Sequence, residues 1–142
     1  LFLNDIRMIA FFTDARILDI YGLASREPVL FRRLPGGYGQ QEVYEWARSQ
    51  GAKIAILKTE WRELLRRVPS QWPHVMDWHI PRNVVFHDHR IAFYAADPAE
   101  TAPLRKRLRE FASCVPPDIE QVWDGEARVQ RKAGRSSSRG QR

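Results

Sequence analysis

Four histidines, His74, His79, His87 and His89, stand close together in the chain with Asp77 and Asp88 among them. Imidazole nitrogens and carboxylates are zinc donors, so metal chemistry is the first thing this stretch suggests. The spacing fits neither a helical nor a ribbon zinc motif. His87 and His89 flank Asp88 where a β-turn is expected, and polar residues belong there in any case. The reading is therefore turn and surface histidines, with no metal. Five tryptophans, Trp46, Trp61, Trp72, Trp78 and Trp123, could instead build a stacking platform for a sugar or a base. Trp46 and Trp61 fall at buried helical positions, however, and Trp72 and Trp78 lie beside Pro73 and Pro81 in what reads as an irregular, aromatic-rich connection that caps the core. Nucleophilic catalysis finds little: there is no Gly-x-Ser-x-Gly elbow, Cys114 has no organised base nearby in sequence, and no glycine-rich phosphate loop follows a strand. The stretch "PGGYG" is a turn, and no cofactor is expected.

One polar constellation remains, and it depends on strands being parallel. If the first three strands run the same way, their carboxyl ends bring Asn4 and Asp5, Asp19 to Gly22, and Lys58, Thr59 and Glu60 to one edge, where open α/β sheets bind ligands. The competing reading gives each a local duty: Asn4 caps a helix, Asp19 accepts hydrogen bonds near a strand end, and Lys58 is exposed.

The elements that would position these groups follow from apolar periodicity. Residues 1–3 read as a strand, and a nearly all-apolar helix then runs to about residue 13. Ile6, Ile9 and Ala10 fall on one side of it and Met8, Phe11 and Phe12 on another, so a second surface must cover the latter group. "RILDIYGL" is a second strand ended by Gly22, followed by a loop or short helix to Arg33. A helix over residues 40–50 places Val43, Trp46 and Ala47 inward, and "AKIAIL" reads as a strand covered on both faces. Residues 59–68 suggest a short helix, and "NVVFHDHRIAFYAA" suggests a hairpin about its His-Asp-His turn. Thr101 is expected to cap a last helix with Leu104, Leu108 and Phe111 inward. The fold class predicted is α/β, a three-layer Rossmann-like domain whose mixed sheet has a parallel core and a C-terminal antiparallel hairpin.

With 142 residues, 44% of them hydrophobic, the chain has material for one core rather than two. The formal charge of +6 is unevenly placed. Arg128, Arg131, Lys132, Arg135, Arg139 and Arg142 supply all of it without an intervening acid, so the rest of the chain is formally neutral. This argues against nucleic acid, whose binders carry basic stripes on folded elements. Residues 1–122 are predicted to form the α/β domain and residues 123–142 a disordered basic tail with at most weak attraction to anionic lipid. No apolar run is long enough to span a membrane, and the abrupt apolar start reads like a piece cut from a longer polypeptide.

The opening stretch "NDIRMIAFFTDARILDIYGLAS" resembles a pattern, Asn-Asp-Ile-Gly, apolar helix, Asp-x-x-Gly-Leu, that follows the last membrane span of bacterial multi-span glycosyltransferases related to the protein mannosyltransferases and the aminoarabinose transferase. Later features are similar in order: an Ala-x-Ile-Ala-Ile strand, a Trp-Pro then Trp connection, "FYAAD", and a helix ending in Phe before "VPPDI". The resemblance spans roughly residues 2–120. It departs at Arg7, where the pattern has Gly; a cation in a first helical turn opposes the dipole and calls for a partner such as Asp5. Tyr21 stands where the pattern has a smaller residue. The resemblance implies a noncatalytic, extracytoplasmic accessory domain, at the periplasmic or cell-surface side, whose partner is the membrane-embedded catalytic portion or another protein domain. It would use Met8, Phe11 and Phe12 as contact surface and Asn4, Asp5, Arg7, Asp19, Lys58 and Thr59 as interface or ligand residues. The alternative is a small α/β enzyme or ligand-binding module using the polar strand edge.

Overall fold

The computed structural model describes residues 1–3, 14–33, 37, 39–58, 66–81 and 89–125. Among them six strands form one mixed sheet. β1 (Phe2–Leu3), β2 (Leu18–Asp19) and β3 (Ile54–Lys58) make its parallel part, while β4 (His74–His79), β5 (Arg90–Ala95) and β6 (Glu120–Trp123) make its antiparallel part. The spatial order is β2-β1-β3-β5-β4-β6. β1 lies between β2 and β3 and runs parallel to both, Leu3 standing opposite Asp19 on one side and Ile56 on the other. The chain is thus α/β with the parallel core that the apolar runs predict. Three α-helices among the described residues accompany the sheet: α1 (Glu27–Phe31), α2 (Gln40–Ser49) and α3 (Thr101–Phe111).

Two apolar clusters draw on alternate residues of the central strands, as a period of two requires. Ala55 and Leu57 of β3 join Phe2, Leu18 and the inward stripe of α2, Val43, Trp46 and Ala47. Ile54 of β3 and Ala95 of β5 join Val75, Trp123 and Leu104 and Leu108 of α3. Phe2 is the hub of the first cluster. Trp46 and Trp72 meet its ring edge-on at 5.4 and 5.0 Å between centroids, a geometry that suits opposed ring quadrupoles. Trp72 is therefore core, as the sequence suggests.

Three expectations are corrected. First, the stretch bounded by Pro73 and Pro81 is not irregular: it is β4, the antiparallel partner of β5. The ladder continues outward with the Ile80 N–H donating to the His89 carbonyl at 2.7 Å. The prolines sit just outside the strand, where no ladder N–H is needed. Second, Thr101 does not cap α3. A single 3₁₀ turn over Pro98–Glu100 precedes the helix, and Asp97 caps that turn by accepting from the Ala99 N–H at 3.0 Å. The Thr101 hydroxyl instead donates to the Pro98 carbonyl at 2.7 Å. Third, Phe111 is 49% exposed rather than packed inward. The sheet also reaches Trp123, the first residue of the expected tail. Val68 is half-buried against the first cluster. Trp61, Leu64 and Leu65 lie outside the described residues, as does the apolar helix expected before residue 13.

Candidate functional site

Asp19 is the best-defined of the predicted site residues. It ends β2, is 1% exposed, and spends its carboxylate on its own loop. Oδ1 accepts from the Tyr21 N–H at 2.8 Å, and Oδ2 accepts from the N–H groups of Leu23 and of Ala24, the latter at 2.8 Å. The Asp19 N–H in turn donates to the Ser25 hydroxyl at 2.9 Å. Gly22 closes the turn by donating to the Asp19 carbonyl. Its φ of +85° favours glycine, and a Cβ there would lie 3.1 Å from Val29 Cγ2. Asp-x-x-Gly-Leu is thus a bracing motif: the acid gathers the loop N–H groups and the glycine lets the chain turn against α1.

Lys58 ends β3 at the same edge of the parallel strands, half-buried, with β1 between it and Asp19. The register does bring these two strand ends to one edge. Asn4, Asp5, Arg7, Met8, Phe11, Phe12 and Thr59 lie outside the described residues. At the opposite edge, the amino ends of the same strands, is a largely apolar hollow of about 260 Å³ walled in part by Leu1, Ala15, Arg16, Gln50 and Lys53. Ligands of open α/β sheets favour the carboxyl edge, so this hollow is on the wrong side for such a site.

A second polar group joins His74 and Asp77 of the histidine-rich stretch to Arg90 and Asp124, which the sequence does not connect to them. Asp77, 5% exposed on β4, accepts from His74 Nε2 at 2.9 Å through Oδ1 and from Arg90 of β5 at 2.7 Å through Oδ2. His74 Nδ1 faces Asp124, beyond the end of β6, at 3.7 Å, and the His74 ring lies 5.2 Å from that of Tyr94. The hydrogen bond to Asp77 raises the His74 pKa; burial opposes it, and the charges of Asp77 and Asp124 add to it. For Asp77, burial pushes upward, but the hydrogen bonds from His74 and Arg90 outweigh it and hold the carboxyl below its usual value. Both imidazole nitrogens therefore look at carboxylates. A general base needs one nitrogen free for a substrate proton, whereas this arrangement favours an imidazolium that ties β4 to the end of β6.

The reason the sequence does not show this arrangement is a bulge. His74 and Asp77 are three apart, a spacing that puts strand residues on opposite faces. An irregularity between His74 and Met76 adds one residue and returns both to one face. Among the other histidines, His79 ends β4 and His89 is exposed, its Nδ1 donating to the Ile80 carbonyl at 3.0 Å. His87 and Asp88 lie outside the described residues. Among the described residues no three His, Cys, Asp or Glu side chains are placed to hold a metal ion, and no helix is long and apolar enough to cross a membrane. No protein-family model, curated protein or solved structure matches the chain.

Proposed function

We propose that this chain is a noncatalytic accessory or interaction domain of the type that follows the membrane spans of bacterial glycosyltransferases using polyprenyl-linked sugars, working at the extracytoplasmic face of the membrane against the membrane-embedded portion. The observation that carries it is the use made of the two buried carboxylates among the described residues. Asp19 braces a loop and Asp77 joins two strands, so each is held by structural donors rather than turned toward a substrate. The same observation weighs against the alternative of a ligand site at the polar strand edge, where Asp19 would have been the principal acceptor. The reading includes a Rossmann-like three-layer arrangement, supported by the two apolar clusters that α2 and α3 form with alternate residues of β3 and β5.

Purified protein incubated with lipid-linked sugar donors tests the assignment: neither transfer nor hydrolysis is expected, and turnover overturns it. The contact surface is tested by Phe11→Asp, which is expected to abolish association with a membrane-embedded partner. Unchanged association in a folded variant removes Met8, Phe11 and Phe12 from that role.

A further inference from the structure

We propose that the loop after β2 and the outward side of α1 form a docking surface for an anionic lipid bilayer. The proposal deepens the membrane-side placement above by naming the partner of a surface that reading does not use. Of the four large apolar side chains that stand out as exposed among the described residues, three fall in this one stretch: Leu23 at 71%, Val29 at 39% and Leu30 at 42%. They form one neighbourhood. The Gly22 backbone sits against Val29, so Leu23 leaves the turn beside α1. Leu23 is also held out rather than hanging loose, because its N–H is bound by the Asp19 carboxylate.

Charge says what would cover it. Arg26 and Arg33 are exposed and stand four before and three after Leu30, which places all three on one side of the helical segment. Arg32 folds back over the loop, donating to the Tyr21 carbonyl at 2.7 Å with its guanidinium 5.3 Å from the Tyr21 ring centroid. Against these three cations residues 20–33 hold one acid, Glu27. Exposed leucines and exposed guanidinia in one short stretch match a partner with an acyl layer beneath a phosphate layer. The leucines enter the boundary region, and the arginines pair with headgroup phosphates.

The test is co-sedimentation of the full 142-residue chain with vesicles of phosphatidylglycerol in phosphatidylcholine and with phosphatidylcholine alone. Binding is expected to the anionic vesicles, to weaken with salt, and to fall about five-fold or more in Leu23→Asp and in the pair Arg26→Glu with Arg33→Glu. Leu23→Ser repeats the loss without adding a charge that headgroups would repel, and melting temperatures verify that each variant is folded. Failure of the wild-type chain to bind overturns the proposal. So does binding that persists in Leu23→Asp and Leu23→Ser, which would assign it to the cations of residues 128–142. Self-association that Leu23→Asp abolishes, without vesicle binding, would give the patch to a second copy of the chain. Each of these leaves the accessory-domain reading in place, since that reading is tested by turnover and by Phe11.

Discussion

Replacing Asp19 with alanine would strand three backbone N–H groups that the loop cannot turn to water without opening. A hydrogen bond to a charged acceptor is worth about 1.5–3 kcal/mol, and part of the loss is recovered by hydration. Asp19→Ala is therefore expected to destabilise by about 3 kcal/mol, on the order of 10 °C in melting temperature. A thermal melt within a degree or two of wild type would show that the bracing is dispensable. The His74 cluster makes a different prediction. Its histidine has a raised pKa, so that contribution is complete below about pH 6.5 and is lost as pH rises through the folded value. Its aspartate has a lowered pKa, so that contribution is complete above about pH 4 and is lost as pH falls. The two coincide between about pH 4 and 6.5. His74→Gln should accordingly cost more melting temperature near pH 5.5 than near pH 9; a pH-independent cost would mean that His74 acts through packing alone.

Helix α3 is held more by its inner side than by its end. Leu104 is 6% exposed within the cluster of Val75 and Ala95, while Phe111 keeps half its surface in water and only stacks on Trp78, 6.4 Å between centroids. Leu104→Ala is expected to cost about 3 kcal/mol, and Phe111→Ala about 1 kcal/mol; chemical denaturation of the pair decides it, and equal costs would place Phe111 in the core. The helical period gave both positions the same side. It could not say that the chain changes to a 3₁₀ turn over Ala112–Cys114 immediately after Phe111. β4 was hidden for a related reason: His74, Asp77 and His79 make its pattern too polar for a buried strand, and its bulge breaks the alternation. Arg90 on the neighbouring strand makes that polarity tolerable, and pairing is not written in either strand alone.

Among the described residues the sheet of the molecule has two edges, β2 and β6, and the second ties the C-terminal part of the chain to the rest. Trp123 packs into the α3 cluster, Arg109 lies over its ring at 5.2 Å, and Arg105 donates to the Asp124 carbonyl at 3.3 Å. A chain ending at Asp118 should thus lose β6, its half of the His74 tie and several degrees of melting temperature. A chain ending at Ala127 should melt as the full chain does, since residues 128–142 are mostly cations and polar or small residues with no apolar periodicity. A drop of several degrees on removing those residues would show that they dock.

Local rules sufficed where the signal lies within a few residues. The runs "LFL", "ILDI" and "AKIAIL" announced three strands, the stripe Val43, Trp46, Ala47 announced α2, and Gly22 marked a turn whose positive φ needs it. The separation of charge between the first 127 residues and the rest could likewise be read from composition. Asp19 serving its own loop is local and belongs with these. Partnership could not be read this way. That Asp77 faces Arg90 across a strand pair, that His74 reaches Asp124, and that Leu23 stands in water all depend on which strand lies beside which and in what register. Those choices are made by the burial of Phe2, Trp46 and Trp72 in one cluster and of Val75 and Leu104 in the other. Apolar burial is nearly indifferent to order along the chain, so its pattern predicts that residues go inside without saying which neighbours they meet there.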